Sequence, residues 1–67
     1  ALRRFRQALD VDPDFHDARH DLVVILALLH RREEARAELS ELRARAGPAL
    51  PPAVAARLES LVNGGEI

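Results

Sequence analysis

Eight consecutive apolar residues, Leu22-Val23-Val24-Ile25-Leu26-Ala27-Leu28-Leu29, constrain this chain more than any other feature. The run falls far short of the ~18 residues that a membrane span requires. It also leaves no polar side, so a helix built on it has to be covered on more than one face. Little else in the chain can do the covering. At 67 residues there is room for one small domain, and below roughly 70–80 residues a single core rarely supplies more than about 3–5 kcal/mol. The absence of cysteine excludes disulfides and thiolate metal sites, so support has to come from packing. Ala, Leu, Arg and Glu dominate, Phe5 and Phe15 are the only aromatic residues, and the prolines fall at apparent joints. That composition points to an all-α protein.

Taken in order, Ala1, Leu2, Phe5, Ala8 and Leu9 recur at helical spacing, with Arg3, Arg4, Arg6 and Gln7 on the other side. This first helix should stop near Val11, because Pro13 disfavours helical geometry at Asp12. Asp14 is placed to cap the second helix, with Asp17 in its first turn favourable to the dipole. The second helix shows a main stripe of Ala18, Leu22, Ile25, Leu26 and Leu29. His30-Arg31-Arg32 forms a joint, and Ala35, Leu39 and Leu42 mark the buried side of a third helix, on which Glu41 and Arg45 pair one turn apart. Gly47-Pro48 stops it. Pro52 opens a fourth helix with a stripe of Val54, Leu58, Leu61 and Val62, ended by Asn63-Gly64-Gly65. About four helices account for the chain.

Charge excludes several functions. The formal net charge is −1, all ten positive residues are Arg, and no nucleic-acid stripe emerges. Arg3, Arg4 and Arg6 are followed by five Asp between residues 10 and 21 against the single Arg19, a sign change that favours local pairing or a polar groove. Catalysis finds little material: Cys, Tyr, Lys and Thr are absent, and Ser40 and Ser60 have no His beside them in sequence, so no catalytic residue and no cofactor are expected. His16 and His20 sit one turn apart, flanked by Asp17 and Asp21, a spacing open to a shared metal ion. With no third ligand or supporting shell identifiable, the pattern reads as solvated histidines in an acidic first turn, and no metal is expected.

The chain also has a period. Ala1-x3-Phe5, with Pro13 eight residues later, precedes Ala35-x3-Leu39, with Gly47 eight residues later, by 34 positions; Ala8 and Leu42 share that offset. With Leu22 and Leu26 four residues apart upstream of Glu33-Glu34-Ala35, this resembles the tetratricopeptide repeat, a 34-residue helix-turn-helix unit. Phe5 and Pro13 match its pattern outright. Arg19 departs from it, standing at the tryptophan position, as do Val23 at the small residue, His30 at the turn glycine and Gly47 at the terminal proline. A Val at position 23 should push the helices slightly apart, and His30 should be a less comfortable choice than Gly for positive φ. The fourth helix instead follows the second at an offset of 36, the two extra residues lying in the Gly47–Pro52 joint.

The resemblance implies an α-solenoid fragment. Residues 1–12 would be the second helix of a preceding repeat, residues 13–47 one helix-turn-helix repeat, and residues 48–67 a capping helix and tail, the whole being the end of a longer array. It further implies that the second helix lines a concave surface, where Asp17, His20, Asp21, Val24, Ala27 and Leu28 would form a partner-binding face. Acids and aliphatics stand where carboxylate-clamping members use Lys, Asn and Arg, so a basic or amphipathic protein or peptide is the expected partner. The expected function is a non-catalytic protein-protein interaction scaffold. The alternative is a purely structural end cap on an enzyme or assembly whose active residues lie elsewhere. Self-association through the first helix is a further expectation, neither nucleic acid nor membrane is an expected partner, and a cytoplasmic setting is favoured although the compartment itself is not readable.

Overall fold

The computed structural model describes residues 2–64. Ala1 and Gly65, both assigned places in helices or their ends by the sequence, lie outside them. Four α-helices follow one another: α1 (Leu2–Val11), α2 (His16–Leu28), α3 (Arg32–Ala46) and α4 (Pro52–Val62), with a short 3-10 turn at Gly47–Ala49 between the last two. The described residues contain no strand. This is the all-α helical-repeat architecture that the sequence implies.

Local chemistry sets most of the boundaries. α1 stops at Val11, ahead of Asp12-Pro13 as the proline requires. The amide of Phe15 donates to the Asp12 carbonyl at 3.0 Å, and the Asp12 carboxylate accepts from the amide of Asp14 at 3.1 Å, an aspartate-supported turn. Asp14 does not cap α2, contrary to expectation. The helix begins at His16, its N-cap position is Phe15 with no side-chain bond, and the Asp14 carboxylate instead lies 3.1 Å from Nη1 of Arg45 at the far end of α3. At the other end of α2, His30 adopts φ 61°. Its amide donates to the Ala27 carbonyl and that of Arg31 to the Leu26 carbonyl, at 3.0 and 2.9 Å. These two bonds define a Schellman stop, with His at the position usually taken by Gly. Gly47 has the expected positive φ, 54°, but ψ −127° puts it outside the left-handed helical basin, in a region open to glycine alone. Pro52 occupies the first position of α4, where its missing N–H costs nothing.

Packing is centred on α2. It contacts α1, α3 and α4, and its contact with α3 is the most extensive in the molecule. Leu22, Val23, Leu26, Ala35, Leu42, Leu58 and Val62 are fully or almost fully buried, with Leu9, Ala18, Ala27, Leu39 and Ala46 completing the core. The buried side of α2 differs from the stripe read in the sequence. Val23 and Ala27 join the core, Ile25 is only half-buried, and Leu29 is 53% exposed because it lies beyond the last helical residue, at the turn into His30. The shift follows from α4, which covers a second side of α2. Leu2, Phe5 and Ala8 pack half-buried along α1 against this core.

Arg19 is the one buried charged residue among those described, 7% exposed. Its Nε donates to Oε1 of Glu38 at 3.2 Å and its Nη1 to the Pro13 carbonyl at 2.7 Å. Arg6 of α1 reaches the same Glu38 at 3.7 Å and Glu34 at 3.6 Å. Two arginines and two glutamates thus join three helices where an aromatic residue would otherwise fill space. Further along α3, Glu41 pairs with Arg45 as the spacing predicts, and Arg43 reaches Glu59 of α4.

Ala35 of α3 is part of the core with no exposed surface, so a charge there has no route to water. Ala35→Glu should unfold the α2–α3 hairpin, costing several kcal/mol, on the order of what burying an uncompensated polar group requires. Thermal melting followed by circular dichroism measures this, and a variant melting with the parent would disprove the burial of Ala35 in the core.

Candidate partner-binding face

With three sides of α2 engaged, the fourth is a single stripe. Asp17, Asp21, Val24 and Leu28 follow one another at intervals of four, three and four residues, the spacing that keeps side chains on one helix face. Asp17 and Asp21 are exposed, Val24 is half-buried and Leu28 is 67% exposed. The stripe therefore runs from acidic to apolar over about 16 Å, at 1.5 Å per residue. The other two expected face residues lie beside the stripe and are less exposed. His20 is half-buried, its Nδ1 3.4 Å from Oδ1 of Asp21. Ala27, only 8% exposed, belongs to the core and offers little surface of its own; it edges a depression shared with Leu28, Arg32 and Leu61.

On the side of α2 nearest α4, a cleft of about 280 Å³ opens at the elbow between α3 and α4. His16, Asp17 and His20 line it from α2, Leu42 and Ala46 from α3, and Leu50 and Val54 from the joint and α4. Nδ1 of His16 is buried here without a hydrogen-bond partner. Sequence reasoning did not assign His16, Leu50 or Val54 to any binding surface. The available signal was the two-residue lengthening of the Gly47–Pro52 joint, which supplies one wall.

The electrostatics are carried mainly by paired arginines. The hydrogen bond from Arg31, aided by the charges of Arg31 and Arg6, holds the Glu34 carboxyl below its ordinary range, and the same bond raises Arg31. Arg45 is raised by Glu41 first and Asp14 second. For Glu34, whose pKa is depressed by folding, the pairing contributes at neutral pH and is lost as pH falls through the folded value. Asp17 lies outside these pairs: among the described residues its carboxylate makes no hydrogen bond or ion pair.

The arrangement is that of a helical-repeat module whose central helix keeps one side uncovered. The chain belongs to the tetratricopeptide repeat family, whose model matches residues 1–58. Repeats of this family generally serve as protein-interaction modules and are generally non-catalytic. Comparison with curated proteins and with solved structures found no match. No helix among the described residues is long and apolar enough to cross a membrane.

Among the described residues no group of three His, Asp or Glu is arranged to hold a metal ion. Equimolar zinc or nickel should accordingly leave the melting temperature unchanged, a sensitive test because a ligand at 100 times its dissociation constant adds about 2.7 kcal/mol. A saturable, stoichiometric rise that disappears in His20→Ala would overturn this reading.

Proposed function

We propose that this chain is a non-catalytic scaffold that binds a protein segment along the exposed stripe of α2. The observation that carries the proposal is Leu28, 67% exposed, in line with half-buried Val24 on a helix whose other sides are covered. Covering an aliphatic side chain completely is worth about 1.5–3 kcal/mol, and the half-buried Val24 would add less than Leu28. Asp17 and Asp21 at the other end of the stripe favour a basic or amphipathic partner and speed its approach, so raised salt should slow association more than dissociation.

In this reading residues 1–12 complete a preceding repeat, residues 13–47 form one full repeat and residues 48–67 cap it. What supports the cap is the outer side of α4: Ala53, Ala56 and Arg57 are exposed there, and none of the exposed large hydrophobic residues belongs to α4. The same observation favours the second reading, a structural end cap on an enzyme or assembly whose active residues lie outside this chain. Half-buried Leu2 and Phe5 along α1 offer copies of the chain a surface for association.

The readings separate on Val24→Asp combined with Leu28→Asp. Both positions are at least partly exposed, so helicity should persist by circular dichroism. Capture of the natural partner, identified by pull-down from the parent organism, should be abolished. Undiminished capture by the folded double variant would remove the groove assignment and favour the structural cap.

A further inference from the structure

Resting on the assignment of α2 as the partner-binding face, we propose that the cleft at the α3–α4 elbow receives one Arg or Lys side chain of the bound segment. The cleft depends on a feature of this particular chain. α4 begins 36 residues after α2, at Pro52 against His16, two more than the family period of 34, and the lengthened joint contributes Ala49, Leu50 and Pro51 to the wall. Leu42, Ala46 and Val54 make the rest of that wall apolar, while Asp17 stands at the α2 edge. An apolar trough with a carboxylate at its rim suits a long cationic side chain, whose methylenes cover aliphatic surface while the charged head stays hydrated.

Other occupants fit less well. An acidic side chain would meet Asp17, and a purely aliphatic one would cover that carboxylate and the two imidazoles without satisfying them. Asp17 is available for the role, since its carboxylate is unpaired among the described residues, whereas Asp14, Glu34, Glu38, Glu41 and Glu59 are each within reach of an arginine. Asp17 also belongs to the exposed stripe, so the cleft is continuous with the surface formed by Val24 and Leu28. From Asp17 to those residues is about 10 and 16 Å along the helix. A helical partner would therefore carry its basic residue about seven and eleven positions from two aliphatic ones.

The probe is a pair of synthetic helical peptides of that pattern, one with Arg and two Leu, the other with Gln in place of Arg, titrated into the isotopically labelled 67-residue chain at neutral pH. The Arg peptide should shift the amides of Asp17, His20, Leu50 and Val54 together with those of Val24 and Leu28. It should bind about fivefold more tightly than the Gln peptide, the scale of one partly exposed ion pair, and Asp17→Asn should erase that preference. Leu50→Ser should weaken the Arg peptide and leave the Gln peptide unaffected. Equal binding of both peptides, with shifts confined to Val24 and Leu28, would overturn the cleft proposal and leave the α2 face standing. Absence of binding by either peptide would overturn both.

Discussion

Coverage of α2 from three directions is the constraint on which the rest of the structure depends. An eight-residue apolar run cannot end at a water-facing helix side without cost, and among the described residues α1, α3 and α4 cover it. Each contacts it. The consequence for function is geometrical. Once these contacts are made, the surface left on α2 is narrow and fixed in direction, and its composition changes along the axis from Asp17 to Leu28. In the proposed binding role, a face held by a packed helix would require little ordering, which would preserve more of the gross interaction energy as affinity.

The charged cluster around Arg19 forms where the repeat pattern places a tryptophan. A guanidinium only 7% exposed needs its partners, because breaking a buried pair by removing one member typically costs about 3–5 kcal/mol, while an apolar replacement of the whole cluster can be neutral or stabilising. Glu38 is more exposed than Arg19, and the Pro13 carbonyl remains as a second acceptor, so the cost here falls at or below the lower end. Glu38 accepts a hydrogen bond from Arg19 of α2 and pairs more loosely, at 3.7 Å, with Arg6 of α1, so one carboxylate links both helices to α3.

Most of the fold was legible because its punctuation is local. Pro13, Gly47 and Pro52 act through their own backbones, and the 34-residue period relates the parts to one another. The differences arise where a distant residue intervenes. Asp14 was a reasonable cap until Arg45, 31 positions away, took its carboxylate. Arg19 was visible as a departure from the repeat, but its burial depends on Glu38, 19 positions away. Ala27 was assigned to the outer face because the direction of a helix side is ambiguous until the neighbour is placed, and α4 settles it. Leu29 looked like core by spacing alone, yet the His30 turn ends the helix before it. The candidate site divides in the same way: the Asp17, Asp21, Val24 and Leu28 stripe follows from helical spacing, whereas Leu50 and Val54 depend on the path of the lengthened joint.

Native-state hydrogen exchange by NMR tests most directly whether α2 is the fixed element that the other helices hold and the exposed stripe relies on. The amides of Leu22 to Ala27 should exchange slowest in the chain and only through global unfolding, with α1 and α4 opening earlier as separate units. Exchange in α2 as fast as in α4, or an opening of α2 while α1 and α4 remain protected, would contradict it.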